Sequence, residues 1–211
     1  TLSITVIGVN HAPELIAPLP AVNATDGGTI TIPTAGSFKD IDKDGLMFTA
    51  TGLPPGLVMD PNTGIITGTL AANASQSGPY VITITADDGL GGVTTTTFTL
   101  TVKNPAPIAT NDTGTVTQDR PITFPVLGND RDPDGDPITV VAASTNHGTV
   151  VINADGTLTL TPPPGFVGTI IVTYMISDGN GGFASAIATI EVRPEPRIGS
   201  MDVQQPPVFL P

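Results

Sequence analysis

The residues of this chain that could do chemistry are aspartates, set in short runs with one residue between neighbours. Residues 40–45 read DIDKDG and residues 130–136 read DRDPDGD. Calcium accepts six to eight oxygen ligands in a loose geometry, whereas magnesium demands a tight octahedron and zinc prefers histidine or cysteine. Crowded carboxylates on a loop therefore predict calcium binding.

These acidic runs belong to an internal repeat. Shifting the chain by 90 residues superposes 40–45 on 130–135, and it also superposes 88–92 (DGLGG) on 178–182 (DGNGG). A repeat of this length is a whole domain rather than one turn of a solenoid. We therefore expect two independently folded modules joined in series.

The chain divides into four expected segments. The modules are placed at residues 10–104 and 105–193. Residues 1–9 (TLSITVIGV) alternate like a strand and are expected to be the last strand of a preceding repeat. Residues 194–211 are rich in proline and are expected to form a linker or tail. The whole is thus expected to come from the interior of a longer protein.

The elements that position the acidic runs are expected to be strands. The chain has 24 glycines and 22 prolines, which leave room for short strands but not for ordinary helices. Apolar residues alternate with threonines in 80–86 and 98–102, and turn signals recur about every 8–12 residues. About seven short strands per module, packed as two sheets, fit this pattern.

An immunoglobulin-like sandwich would gather the acids at one pole of each module. In that fold the loop after the second strand and the loop before the last strand lie together, beside the start of the first strand. Two carboxylates about 5 Å apart repel by roughly 3 kcal/mol at an effective dielectric near 20, so several at one pole need a cation. The predicted calcium ligands are Asn10, Asp40, Asp42, Asp44, Asp87, Asp88, Asn104, Asp112, Asp130, Asp132, Asp134, Asp136 and Asp178.

The acidic runs have two other interpretations. An EF-hand loop begins in the same way but has glutamate at position twelve and helices on both sides. Here position twelve is Thr51 or Val141. Solvated aspartate turns without any ion are the remaining alternative, and the repetition of the pattern in both modules argues against them.

Composition limits the partners. The chain has no cysteine, so neither a disulfide nor a thiolate metal site is available. Its net charge of −12 argues against nucleic acid and anionic membrane surfaces. No apolar run approaches the roughly 18 residues of a membrane helix, so no membrane insertion is expected.

No catalytic constellation emerges, and we expect no enzyme activity. The tripeptide Asp112-Thr-Gly114 copies an aspartic-protease motif, but that chemistry needs two carboxylates sharing a proton. His11 lies in a linker and His147 in a turn, so neither supplies a nucleophile relay. A glycosidase cleft would need aromatic residues for the sugar, and this chain has no tryptophan and two tyrosines.

Several motifs together resemble known repeats. In the first module they are 37–45 (SFKDIDKDG), 51–57 (TGLPPGL), 62–64 (NTG) and 86–89 (ADDG), which resemble a bacterial dystroglycan-type cadherin-like domain. The second module resembles the tandem cadherin-like repeats of large bacterial adhesins. Its motifs are 126–136 (VLGNDRDPDGD), 148–150 (GTV), 164–168 (PGFVG) and 176–182 (ISDGNGG).

The resemblance covers residues 10–193 and implies an all-β protein of two tandem Greek-key immunoglobulin/cadherin-like β-sandwiches with interdomain calcium. The Leu-Asp-Arg-Glu ligand motif of vertebrate cadherins is absent, and residues 67–70 (TGTL) stand at about that place. Fewer ions per junction are therefore expected.

Two functional hypotheses follow. The leading one is a secreted or cell-surface adhesin in which monomeric extender modules bind calcium and their partners are neighbouring repeats of the same chain, in cell adhesion or biofilm. The alternative is a calcium-dependent module for extracellular polysaccharide, free or attached to a secreted carbohydrate-active enzyme.

Overall fold

The computed structural model describes residues 8–196. The predicted strand of a preceding repeat falls mostly outside this range, and its last two residues, 8 and 9, have no regular structure. Of the predicted tail, residues 194–196 have no regular structure, and 197–211 lie outside the described range. Within the described range, no helix is long and apolar enough to cross a membrane.

Sixteen strands make up about half of the described chain. The first half contains β1 (Glu14–Leu15), β2 (Val22–Thr25), β3 (Thr29–Pro33), β4 (Phe38–Lys39), β5 (Met47–Thr51), β6 (Leu57–Asp60), β7 (Ile65–Thr69), β8 (Tyr80–Asp87) and β9 (Val93–Lys103). The second half contains β10 (Asp112–Thr117), β11 (Ile122–Phe124), β12 (Thr139–Thr145), β13 (Thr149–Ile152), β14 (Leu158–Thr161), β15 (Gly168–Ser177) and β16 (Phe183–Arg193).

Each half forms a sandwich of a four-stranded and a three-stranded sheet. The orders are β2-β9-β8-β5 and β3-β7-β6 in the first half, and β10-β16-β15-β12 and β11-β14-β13 in the second. Strand β2 runs parallel to β9, and β10 runs parallel to β16. The other strand pairs within the sandwiches are antiparallel. The chain crosses repeatedly between the two sheets in Greek-key fashion, with β6-β7, β8-β9, β13-β14 and β15-β16 as neighbours within one sheet. The predicted all-β fold class is confirmed.

The alternation read from the sequence builds the cores. In β8, Ile82, Ile84 and Ala86 are fully buried, and the threonines between them point away from the core. Val172 and Tyr174 occupy the same inward face in β15. Each sandwich encloses a separate core cluster. Burial of one such aliphatic side chain contributes about 1.5–3 kcal/mol.

Short 3-10 turns and pairings bring the linkers to the acidic loops. A turn at Ala35–Ser37 leads into β4, which pairs with β1 just before the first acidic run. A turn at Leu127–Asn129 precedes the second run. There the linker and the acidic loop pair through a single β-bridge, between Ile108 and Arg131. Each linker is thereby held beside its acidic loop.

Candidate calcium poles

The first acidic loop is wound around Asp40. This side chain is only 7% exposed, and its Oδ1 accepts the backbone N–H groups of Asp42 at 2.8 Å and Asp44 at 3.2 Å. Lys43 between them takes a left-handed conformation with φ of 68°, which lets the backbone curl back. As a result, one carboxylate oxygen from each of the three aspartates lies within 4.8 Å of the others.

The loop before the last strand brings Asp88 to the same place. Its Oδ1 accepts the N–H groups of Leu90 at 2.7 Å and Gly92 at 2.9 Å, and its Oδ2 accepts the Asn10 side-chain amide at 2.9 Å. A Cβ on Gly92 would lie 2.1 Å from Asp88 Oδ2 and 2.6 Å from Ala12 Cα, so glycine permits the linker to pass this closely. Asn10, Asp40, Asp42, Asp44 and Asp88 are called the first acidic pole below.

His11 also lies at this pole. Its backbone N–H and its ring Nδ1 contact Asp42 Oδ2 at 2.8 and 3.0 Å. These contacts lower the pKa of Asp42. The linker thus supplies donors to two of the pole's carboxylates.

The second acidic pole repeats this framework one module later. Asp132 Oδ1 accepts the N–H groups of Asp134 at 3.1 Å and Asp136 at 3.3 Å, and the three carboxylates again offer oxygens within 4.8 Å of one another. Asp178 Oδ2 accepts the Asn104 amide at 2.7 Å. Asn104, Asp132, Asp134, Asp136 and Asp178 are the second acidic pole.

The structure corrects the alignment of the two acidic runs. The 90-residue shift pairs Asp40 with Asp130, but the hydrogen-bond pattern pairs Asp40 with Asp132. Gly135, with φ of 89°, stands where Lys43 has φ of 68°. The spacing from the linker asparagine to the acidic loop is two residues shorter in the second module, and so is the spacing from the acidic loop to the loop before the last strand. A single shift could therefore match only part of each pole.

Two predicted ligands lie apart from the poles, around Tyr174. This buried hydroxyl donates to Asp112 Oδ2 at 3.0 Å and also lies 3.3 Å from both oxygens of Asp130. Burial, together with repulsion from Asp130, raises the pKa of Asp112. Asp112 and Asp130 therefore hold the loops together through a tyrosine that sequence reasoning did not single out for this role.

Asp87 is placed in a turn of its own. Its Oδ1 accepts the N–H of Gly89 at 2.7 Å. It is not among the three carboxylates that converge at the first acidic pole.

Asn180 is a functional candidate that sequence reasoning missed. Its backbone N–H donates to Asp178 Oδ1 at 2.8 Å, and its side-chain amide donates to Asp136 Oδ2. It joins the two loops of the second acidic pole. The only available signal was its place two residues after Asp178, a position that holds Leu90 in the first module.

The electrostatics of the poles reflect crowding. Burial, then repulsion from Asp40, Asp42 and Asp88, raises the pKa of Asp44. Burial, then the neighbouring Asp132 and Asp136, raises the pKa of Asp134 to about 7.

The anchoring carboxylates behave in the opposite way. The hydrogen bond from Asn10 lowers the pKa of Asp88. For Asp178, burial acts to raise the pKa, but hydrogen bonds from Asn104, Asn180 and Gly182 outweigh it and the pKa is lowered. Each pole therefore combines an anchored carboxyl with a lowered pKa, Asp88 or Asp178, and a crowded carboxyl with a raised pKa, Asp44 or Asp134.

Unpaired buried oxygens mark both poles. Within residues 8–196, no donor reaches Asp40 Oδ2, Asp132 Oδ2 or either oxygen of Asp134, although these atoms are buried. A buried carboxylate left without partners is strongly unfavourable. A hard cation among these oxygens would satisfy them, and the donors are all of the kind that calcium prefers. The residues present therefore fit a calcium ion.

Family models match both modules. The family described as "Putative Ig domain" matches residues 12–103, and the family described as "Bacterial Ig domain" matches residues 104–191. A comparison with curated proteins gave no match.

Solved structures with a similar fold come from several kinds of protein. An endo-fucoidan hydrolase of glycoside hydrolase family 107 is 20% identical with a TM-score of 0.42, and the match covers 88% of this chain but 29% of the hydrolase. Drosophila N-cadherin EC1-4 is 17% identical with a TM-score of 0.46, covering 89% and 50%. Titin domains z1z2 in complex with telethonin are 18% identical with a TM-score of 0.47, covering 90% and 100%.

The strand order and the two family matches define the class of protein. The chain is built of immunoglobulin-like repeat domains, in agreement with the immunoglobulin/cadherin-like sandwiches predicted from the sequence. Immunoglobulin-like domains of these families are typically non-catalytic.

Proposed function

We propose that the two modules are calcium-binding structural extenders of a bacterial cell-surface or secreted adhesin. In this proposal the chain acts as a spacer in cell adhesion or biofilm. Its direct partners are neighbouring repeats of the same chain, it is monomeric, and it binds no nucleic acid.

The observation that supports this proposal is the set of buried carboxylate oxygens left without donors at both poles. In both Asp40 and Asp132, one carboxylate oxygen accepts backbone N–H groups of its own loop and the other oxygen has no donor. Two independent modules share this arrangement. A common ligand explains it better than two coincidental packing faults, because buried polar atoms are rarely left unsatisfied.

Calcium would act by tying the linker to the pole. The first ion would be held by Asp40, Asp42 and Asp44 with Asp88 and Asn10 close by, and the second by the corresponding set. When bound, the ion supplies positive charge that offsets carboxylate repulsion. For a site with a dissociation constant of about 0.1 mM, millimolar calcium adds roughly 1.4 kcal/mol of stability per ion. The bound ion would thereby remove the flexibility between consecutive repeats.

The family matches support an extracellular setting. Bacterial immunoglobulin-like domains are typically extracellular, and extracellular modules meet calcium at concentrations that such weak sites can use. A spacer needs no nucleic-acid surface, and a net charge of −12 disfavours binding to phosphate backbones.

Thermal unfolding across a calcium titration tests the proposal. We expect the midpoint to rise between zero and 10 mM calcium and to rise much less with magnesium. Asp40→Asn and Asp132→Asn should each remove part of the increase. The matched controls are Asp60→Asn and Asp155→Asn, since these exposed turn aspartates bond only to nearby backbone and hydroxyl groups.

Two outcomes of these melts would contradict the proposal. If the thermal-unfolding midpoint of the wild type is the same with and without calcium, or if the two control variants lose as much of the increase as the pole variants, the poles do not hold the ion.

A further inference from the structure

Asn180 is followed by a glycine, and it has no counterpart in the first module. The loops before the last strands read DGLGG at 88–92 and DGNGG at 178–182, so Asn180 stands where the first module has Leu90. Asn180-Gly181 is also the single Asn-Gly pair of the sequence. Such a pair can react with itself, because glycine has no Cβ to keep its backbone nitrogen away from the asparagine side chain.

The reaction is an intramolecular acyl transfer. The backbone nitrogen of Gly181 attacks Cγ of Asn180 and a bond forms between these atoms. The bond from Cγ to Nδ2 breaks, and Nδ2 leaves as ammonia with the proton of the attacking nitrogen. Water then opens the cyclic imide and returns a proton to that nitrogen. Opening at Cγ gives aspartate, and opening at the backbone carbonyl carbon gives isoaspartate.

The glycine of this pair is free to move. Gly181 is exposed, has φ of 102°, and has nothing within 4 Å of the position that a Cβ would occupy. The N–H groups of Asn180 and Gly182 donate to Asp178 Oδ1, but the N–H of Gly181 has no acceptor in residues 8–196. The attacking nitrogen therefore has no hydrogen bond to break first.

The asparagine, by contrast, is held from three sides. Its backbone N–H donates to Asp178 Oδ1 at 2.8 Å, and its side-chain amide donates to Asp136 Oδ2. Its backbone oxygen accepts Gln76 Nε2 of the first module at 2.9 Å. Because these bonds fix the side chain against Asp136, we expect ring closure to need transient opening of the loop.

Bound calcium would oppose this opening. Asp136 and Asp178 both belong to the second acidic pole, and an ion between them would tie together the two loops that Asn180 bridges. A ligand that binds only the closed state lowers the open population by mass action. Conversion of Asn180 should therefore proceed mainly while the pole is without calcium.

The product changes the pole to which it belongs. An aspartate at position 180 replaces the amide donor that faces Asp136 by a second carboxylate, so two negative charges meet where a hydrogen bond was. These charges repel in the absence of a cation and attract a cation more strongly, since the number of charged ligands tunes calcium affinity.

We propose that Asn180 is a spontaneous deamidation site, which converts while the second acidic pole lacks calcium and leaves that pole with one more carboxylate and a greater dependence on calcium. The inference rests on the calcium binding proposed above. The second module would thus be altered irreversibly by time spent at low calcium. The first module, with Leu90 at this place, would not be altered by this reaction.

Ageing of the full chain in 18O-labelled water tests the site. The protein is kept below its calcium-free unfolding midpoint, with chelator or with calcium, and then digested for mass spectrometry. In chelator we expect Asn180 to take up label at least about tenfold faster than Asn62, which is followed by threonine. Calcium at about ten times the dissociation constant leaves roughly one pole in eleven free, so labelling of Asn180 should slow about tenfold. Asn180→Gln keeps an amide but should stay unlabelled, because its longer side chain closes a ring slowly.

The variant Asn180→Asp reproduces one product directly. In an NMR calcium titration of the 15N-labelled full chain, the amides of Gly182 and Gly92 report the second and the first pole. We expect the midpoint at Gly182 to fall at least about threefold, since added ligand charge raises affinity, and the midpoint at Gly92 to stay unchanged. Asn62→Asp adds the same charge in an exposed turn and should match wild type at both positions.

The possible failures are distinguishable. Label at Asn180 that appears no faster than at Asn62, or equally fast with and without calcium, overturns the inference and leaves calcium binding intact. A Gly182 midpoint in Asn180→Asp equal to that of wild type overturns the effect of the product on the pole. If calcium up to 10 mM changes neither the unfolding midpoint nor any pole signal of the wild-type protein, the proposed function itself fails.

Discussion

The first and second acidic poles have the same backbone framework but different surroundings. In both, one aspartate caps its own loop, another accepts an asparagine amide from the linker, and a glycine lets the linker pass. At the first pole, His11 contacts Asp42 and Leu90 is 65% exposed. At the second, Asn180 bonds to both loops and to the preceding module.

The shared framework arranges the carboxylates, whereas the neighbouring side chains change how strongly those carboxylates resist ionisation. His11 offers partial relief to the first pole by lowering the pKa of Asp42. At the second pole proline stands at the matching place in the linker, and burial, followed by the neighbouring Asp132 and Asp136, raises the pKa of Asp134 to about 7. We expect the second pole to depend more on calcium.

The largest effect is expected from breaking the shared framework. In Gly182→Ala the new Cβ would lie 2.0 Å from Asp178 Oδ2, and in Gly92→Ala it would lie 2.1 Å from Asp88 Oδ2. The loop or linker must shift, at a cost of about 1–3 kcal/mol. Calorimetry should show a lower unfolding temperature and a weaker response to calcium in the altered module. Gly45→Ala is the control, since nothing lies within 4 Å of its Cβ position. Equal effects in all three variants would refute the close linker passage.

A smaller effect should separate the poles by pH. A folded-state pKa of about 7 for Asp134, against an ordinary value of 3.8, means that the calcium-free folded protein binds this proton more tightly than the unfolded chain does. Its contribution is favourable at low pH and is lost as pH rises from about 4 to 7. The carboxyls of Asp88 and Asp178, with lowered pKa, change stability only below about pH 4.

Unfolding of the calcium-free protein at pH 5, 6 and 7 checks this. The second module should become less stable across this range, and calcium affinity at its pole should increase more steeply with pH than affinity at the first pole. Calcium-free stability that stays flat or increases from pH 5 to 7 in the second module would show that Asp134 is not the group that resists ionisation.

The smallest effect concerns the left-handed residue of each acidic loop. A residue with a side chain at positive φ costs about 1–2 kcal/mol relative to glycine. Gly135→Lys should therefore destabilise the second module by about 1 kcal/mol. Lys43→Gly should stabilise the first module by less, because glycine also raises the conformational entropy of the unfolded chain. Chemical unfolding of both variants measures this, and changes of the opposite sign would break the correspondence between Lys43 and Gly135.

The fold class and the oxygen-rich chemistry of the poles can be read from the sequence alone. Alternation of apolar residues with threonine specified which face of β8 and β15 is buried, because side chains of a strand alternate between faces. Clustered oxygen donors without cysteine predicted calcium as the ligand of the poles. These features are local, so they can be read from neighbouring residues.

Which aspartates lie together, in contrast, depends on the tertiary structure. The sequence could not assign Asp130 to Tyr174 and Asp132 to the pole, because a shift of two residues keeps the same Asp-x-Asp pattern while the backbone hydrogen bonds distinguish the two positions. Nor could it single out Asn180, because the hydrogen bonds of this residue to Asp178 and Asp136 form only when two loops that are distant in the sequence meet in space.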